Sequence, residues 1–377
     1  MRKSLLAVAA LMGAGIILPQ KAEAVAFKVA EDVSGNMGFK AQIWGQYLGE
    51  RTSGNKSALD FSLNNVRFYA NGRVGKHMYF FSNMDFAAAS ARATDAAIGL
   101  KFMDELNVQA GLYRTPFSRA ALTDSYTFLI PTGYFYGGLA VDAPLQGPTR
   151  YRNAGLTVWG DIADAMVKYY VGIFDGPYNN STGNPGKDNL MYSIRLQFTP
   201  TMLGFKGEKG YGLRDTYLGR QNVLSFGVGY ATQKCGNTSA GACNTGAGAL
   251  SFTTKAWTVD AKHEQKFGTL IANWEAAYFD VKDINTAKDD RKGFYLQVGG
   301  IYDQVVGIGK PGLALKYDYS EDKPTTGAKT KFKRFGGAVN YFLKGQDALI
   351  QLAVDSVDRP AGQKDYTNVT LAFQVQF

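Results

Sequence analysis

Residues 365–377, DYTNVTLAFQVQF, decide the fold: Val369, Leu371, Phe373, Val375 and Phe377 alternate with Thr370, Ala372, Gln374 and Gln376. A period of two with apolar and polar residues this cleanly separated specifies a half-buried β-strand. A strand of this length can cross a membrane at a tilt, or it can form the edge of a soluble sandwich. The rest of the chain separates these readings.

At the other terminus, Arg2 and Lys3 precede an apolar run over residues 5–18, and Ala22-Glu23-Ala24 supplies a small-x-small cleavage pattern. This predicts a signal peptide over residues 1–24 and a single exported domain over residues 25–377. The run is shorter than the ~20 residues a membrane helix needs. Pro19 and Lys21 follow it directly, and no second run of that length occurs. An exported chain without such a helix is either soluble or a closed barrel, the other fold that satisfies every backbone group in lipid.

Composition favours the barrel. Mean hydropathy is low at −0.19, yet aromatics reach 13% and Gly numbers 44. Aromatics form the interfacial girdles of membrane barrels, and glycine relieves crowding on curved strands. The net charge is +9, and loss of Arg2, Lys3, Lys21 and Glu23 with the signal peptide lowers it by two, to +7. No lysine-rich tail or zinc-like cluster accompanies this charge, which argues against nucleic acid and leaves anionic lipid or conducted anions.

Alternating segments recur from residue 36 onward. They predict sixteen strands, at 36–49, 59–74, 77–89, 94–103, 105–113, 150–160, 164–175, 189–199, 221–232, 252–266, 269–283, 291–303, 311–321, 331–344, 347–357 and 365–377. An even count puts both termini on one side, as in single-chain bacterial barrels. Periplasmic turns are short in such barrels and extracellular loops long. The second, fourth, sixth, tenth and fourteenth connections are tight, whereas 114–149 and 233–251 are long odd ones. Residues 200–220 and 304–310 break the rule, and residues 25–35 read as a periplasmic lead-in. A short helix fits only in the 114–149 loop or the 200–220 turn. The fold expected is thus an all-β transmembrane antiparallel barrel.

Several stretches resemble the phosphate-selective porin O and P family of outer-membrane channels. They are DFSLNNVRFYANGR at 60–73, NMDF at 83–86, VQAGLYRTPFS at 108–118, YVGIFDG at 170–176 and GAVNYFL at 337–343. The resemblance implies a sixteen-stranded homotrimer in outer-membrane lipid whose third extracellular loop, here 114–149, folds inward to narrow the pore. It also implies insertion by the barrel-assembly machinery, for which the terminal Phe377 resembles the assembly signal. The second strand carries Asn64-Asn65-Val66-Arg67 in place of an arginine-rich run, and the loop lacks a lysine cluster, so strict phosphate selectivity does not follow.

Alternation assigns the inward faces. Arg67 and Arg73 point inward from the second strand, as do Lys40, Lys101, Lys168, Arg195, Lys262, Lys316 and Arg334 elsewhere, against Asp85, Asp260, Glu275, Asp318 and Asp355. Any one of these is most simply a solvated charge paired across the barrel, but the group is basic on balance and favours anions. Arg114 and Arg119 in the long loop are the sharper candidates, facing Arg67 or Arg73 at the narrowest point. Their guanidinium groups suit small oxyanions. Asp124 and Asp142 in the same loop offset that charge or tie the loop to the wall.

Cys235 and Cys243 lie in one extracellular loop facing an oxidising compartment, which predicts a loop disulfide. Only His77 and His263 are present, so neither a metal site nor a hydrolase triad is expected, and no cofactor. Gly72-Arg73-Val74-Gly75-Lys76 reads as a turn rather than a phosphate-cradling loop. The function expected is passive diffusion of small hydrophilic solutes, with a preference for anions. A barrel selective for carboxylates or sugars, an adhesin or surface structural barrel, and a plugged or enzymatic barrel remain as alternatives.

Overall fold

A computed structural model describes residues 24–49, 57–87, 90–134, 151–176, 190–236, 250–360 and 362–377. Among them are the strands β1 (Val25–Ala30), β2 (Val33–Leu48), β3 (Ala58–Val74), β4 (Met78–Asp85), β5 (Arg92–Met103), β6 (Leu106–Arg114), β7 (Arg152–Ile162), β8 (Val167–Phe174) and β9 (Met191–Phe198). They continue with β10 (Val223–Gly236), β11 (Leu250–Phe267), β12 (Leu270–Lys282), β13 (Asp290–Tyr302), β14 (Lys310–Lys323), β15 (Thr330–Lys344), β16 (Ala348–Asp358) and β17 (Tyr366–Gln376).

Strands β2 to β17 form a closed sixteen-stranded antiparallel barrel. Each pairs with its neighbour in sequence, and β17 pairs back onto β2. The closure is completed at the rim, where Phe39 and Phe377 exchange two backbone hydrogen bonds of 2.9 Å. Closure removes the two sheet edges that an open sheet would expose. Gly38 is required at this seam, because a Cβ there would lie 2.0 Å from the Phe377 carbonyl oxygen.

All sixteen expected strands are present, with ends shifted by a few residues. The lead-in expected over residues 25–35 is instead the short strand β1, whose Val25, Phe27 and Val29 alternate with Ala26, Lys28 and Ala30. It pairs antiparallel with the first residues of β2, from Val25↔Met37 to Ala30↔Val33. The β17 pairing with β2 ends at Gln376↔Lys40, so the start of β2 has a free edge that β1 covers.

The outer wall is apolar and the inner wall polar, the reverse of a soluble core. Leu59 and Phe61 on β3 are 83% and 87% exposed, whereas inward-facing Asn340 and Thr258 are buried. The register of β2 against β3 shifts between Gln42 and Ile43. At this bulge Asn64 and Asn65 both turn inward, donating to the same Gln42 Oε1 at 2.9 and 2.7 Å.

Two connections supply the interior packing. The first leaves β6 and contains a helix, α1 (Arg119–Leu122), whose N-cap Ser118 hydroxyl accepts from the Ala121 N–H. A 3₁₀ turn at Ser125–Thr127, capped by Asp124, follows. The second connection joins β9 to β10 and begins with a 3₁₀ turn at Thr201–Leu203. The two meet where the Leu213 N–H donates to the Leu122 carbonyl at 3.1 Å and the Asp124 N–H donates to the Leu213 carbonyl at 3.0 Å.

Candidate permeation path

Inward-facing side chains on half the barrel are engaged by these two connections. Gln42, Gln374 and Gln351 donate to the carbonyls of Ser125, Tyr126 and Phe128 at 3.3, 2.9 and 2.9 Å. Lys316 and Arg334 both donate to the Gly133 carbonyl, and Tyr134 stacks on Tyr295 with centroids 4.3 Å apart. Glutamine suits this wall, since its amide can satisfy a loop carbonyl while its aliphatic stem packs along the strand.

Arg119 is the principal tie. Its guanidinium donates to both Glu208 carboxylate oxygens at 2.8 and 2.7 Å and, through Nε, to Glu275 at 2.9 Å. The side chains of all three residues are wholly buried. Glu208 also accepts from Gln197, Tyr217 and Ser225. Burial pushes its carboxyl up, but the Arg119 charge and these hydrogen bonds outweigh that and hold it at about 2.

Asp215, on the same connection as Glu208, accepts from the Leu129 N–H and from Gln297, both at 2.7 Å. On the other side of that connection, Lys168 bonds Asp161 and the Gly210 carbonyl. The β9–β10 connection is therefore clamped to β7 and β8 at one end and to β11, β12 and β13 at the other.

Three adjoining cavities lie beside β2 to β6. One of about 350 Å³ lies near Trp44, Asn64 and Arg92. It shares Arg67, Arg114 and Arg152 with a middle cavity of about 230 Å³. The middle one shares Lys40, Phe81 and Asn83 with a third of about 390 Å³, which reaches the C-terminal rim at Gln376 and Phe377.

Cations in the middle cavity are incompletely neutralised. Arg152 is closed off, donating to both Asp95 oxygens at 2.8 and 3.1 Å. Lys40 and Arg114 share Asp124 at 3.6 and 3.9 Å, and Arg67 Nε stands 3.6 Å from Asp85. Lys40 also lies over the rings of Tyr69 and Tyr126 at 5.2 and 5.1 Å. Asp124 is enclosed by the barrel while keeping 38% of its side chain open to the cavity. Enclosure raises its carboxyl, but Lys40, Arg114 and Arg67 together bring it below the usual carboxylate range.

These positions revise several sequence-based assignments. Arg67 and Arg114 line both adjoining cavities, Asp85 the first and Lys40 the middle one. Arg119 lines none of these cavities; it is buried in the anchor, where two carboxylates compensate the hydration it loses. Lys168, Arg195, Lys262, Lys316, Arg334, Asp260, Glu275, Asp318 and Asp355 face inward, are buried, and line none of these three cavities. Arg195 is locked on Asp260 at 2.6 and 2.8 Å, and Arg334 on Asp318.

Arg73 lies at the rim, in a cavity with Phe27 and Lys28, away from Arg114. Lys101 is half-exposed and pairs with Asp104 in the following turn at 2.6 Å, because the β5 register slips between Lys101 and Met103. Arg92, Arg152, Arg214 and Arg220 also line these cavities and have no sequence-based assignment to an inward face. Arg152 falls at the start of the strand expected over 150–160, where alternation assigns it no face, and the two arginines of the aperiodic 200–220 segment carry no facing signal at all. Cys235 is buried against Phe252, whereas Cys243 and Asp142 lie outside the described residues.

No protein-family model matches the chain. An uncharacterized protein of Aquifex aeolicus is 26% identical over 288 residues, 73% of this chain and 66% of that protein, just short of two thirds of its length. Among solved structures, a loop-deletion mutant of OmpT, an outer membrane protein of Vibrio cholerae, superposes with a TM-score of 0.60 at 12% identity, covering 92% of this chain and 100% of that one. OprB of Pseudomonas putida gives 0.60 at 13% identity over 92% and 94% of the two chains. An anion-selective porin from Comamonas acidovorans gives 0.60 at 13% over 92% and 100%. At these identities the likeness is one of fold, and this chain has the barrel architecture of outer-membrane porins.

Proposed function

We propose that the protein is an outer-membrane diffusion channel for small hydrophilic solutes that favours anions, acting by passive flow with neither catalysis nor a cofactor. The observation that carries this reading is the charge of the passage. Lys40, Arg67, Arg92, Arg114, Arg152, Arg214 and Arg220 line the three cavities against Asp85, Asp95, Asp124 and Asp347, seven basic to four acidic. A fixed positive surplus in a narrow, low-dielectric passage concentrates anions and lowers their barrier. Asp124 stays ionised at neutral pH, so it cancels part of this surplus without reversing it.

In this reading residues 115–134 are the constriction, and Arg67 and Arg114 offer guanidinium donors to a passing oxyanion. The stretches resembling phosphate-selective channels support small oxyanions as the solute class, while the lack of a lysine cluster favours general anion passage over phosphate alone. The signal peptide over residues 1–24, the Cys235–Cys243 pairing, insertion through the barrel-assembly machinery and a homotrimer belong to the same proposal. A trimer form is described for OmpT of Vibrio cholerae. Swelling of liposomes containing the purified protein tests it. Small carboxylates and phosphate are expected to enter faster than amines of equal size, and the opposite order, or no swelling, overturns the proposal.

A further inference from the structure

Two phenylalanines keep part of their surface in the passage. Phe81, on the inner face of β4, lines the middle cavity and the third one at the C-terminal rim. Phe128, in the connection after β6, lines the first. Both are only partly buried. The barrel covers other interior phenylalanines: Phe174, Phe252, Phe279 and Phe342 face inward by strand parity and are at most 5% exposed. A ring left open in a polar lumen forgoes the hydrophobic gain of burial unless a solute covers it.

Rings and cations alternate along the path. Arg67 and Arg114 line the first and middle cavities, and so fall between Phe128 and Phe81. Lys40 lines the middle and third cavities, as Phe81 does. Tyr211 adds another partly buried ring to the middle cavity. It is held edge-on to Tyr113 at 5.6 Å, and its hydroxyl donates to the Arg114 carbonyl at 2.8 Å. The middle cavity, about 230 Å³, thus brings the incompletely neutralised Lys40, Arg67 and Arg114 together with apolar ring surface. A few placed charges on an apolar wall are the usual make-up of a site for an organic ligand.

We propose that the solutes this passage prefers among small anions are aromatic carboxylates. Arg67, Arg114 and Lys40 hold the carboxylate while the ring passes from Phe128 to Phe81. This rests on the anion-conducting reading above and names its substrate class. The carboxylate accepts charge-assisted hydrogen bonds from the guanidinium and ammonium groups. Its ring covers Phe81 as an offset or edge-on pair. Acetate or an inorganic anion satisfies the cations but leaves the rings bare. A neutral aromatic covers the rings but brings no counter-charge to the cations.

Block of the single-channel chloride current of the purified full chain in a planar bilayer tests this, with benzoate, acetate and benzamide as probes. Benzoate is expected to block at a concentration at least about tenfold below that needed of either other probe. In the Phe81→Ala variant its advantage over acetate is expected to shrink at least about threefold, while the channel stays anion-selective in a salt gradient. Equal block by benzoate and acetate, or by benzoate and benzamide, in an anion-selective channel overturns the substrate class and leaves the anion-conducting reading standing. An undiminished advantage in Phe81→Ala overturns the substrate class as well. A cation-selective or non-conducting protein overturns both. If the variant fails to assemble, the three probes on the wild-type channel decide on their own.

Discussion

The Arg119–Glu208 pair shows how a charge inside a barrel can serve structure rather than transport. Removing one partner of a fully buried ion pair typically costs about 3–5 kcal/mol, because the other is left uncompensated. Glu208→Gln is therefore expected to destabilise the folded barrel by roughly that amount, read as a lower denaturant midpoint. The pH dependence has a definite sign. Since the Glu208 carboxyl is held at about 2, below its value near 4.5 in an unfolded chain, its contribution is complete above about pH 4.5 and is lost as pH falls through about 2. Glu208 stays ionised in the folded channel until pH approaches about 2, so single-channel conductance is expected to stay steady from pH 7 to about pH 4 and to become larger or noisier only as pH nears about 2; larger or noisier traces already at about pH 5 speak against this account of the anchor.

Arg67 and Arg114 belong to the opposite class, since their charge faces the cavity. Replacing both by glutamine is expected to reduce the anion-to-cation permeability ratio several-fold with little change in stability, measured by reversal potential and thermal melting. The inward direction of Arg67, Lys168, Arg195 and Lys316 was legible from alternation alone. Their division into passage and anchor was not, because it is set by contacts such as those of Lys168 with Gly210 and of Lys316 with Gly133, which lie in segments with no period to read.

Among the elements, the β9–β10 connection departs furthest from expectation. Even-numbered connections of such barrels are normally short turns, and this one stood out in the sequence by length alone. Its inward course depends on contacts with strands distant in sequence, including Asp161, Lys262 and Gln297. Local pattern does not encode those contacts. The tight turns and strand spans, by contrast, were readable because each is specified by its own residues. Replacing residues 205–219 with a short glycine-containing turn is expected to raise single-channel conductance about twofold or more, since the inner wall at β7, β8 and β11 to β13 would be uncovered. Unchanged conductance in the shortened protein would mean that this segment does not limit the passage.

For the molecule as a whole, closure rests on the terminal strand. Phe377 is tied to Phe39 through two backbone bonds and accepts a further one from the Tyr69 hydroxyl at 3.0 Å, and its ring packs 5.8 Å from that of Phe39. Deleting Phe377 is expected to lower the yield of heat-modifiable, folded protein while the channels that do assemble keep normal conductance. The same closure places the two interior connections against β7 to β17 and leaves the passage beside β2 to β6, where basic residues outnumber acidic ones. The reversal potential of the wild-type protein in a planar bilayer under a salt gradient tests that placement most directly. An anion-selective potential is the predicted result, and a cation-selective potential, or a bilayer that does not conduct, would contradict the account.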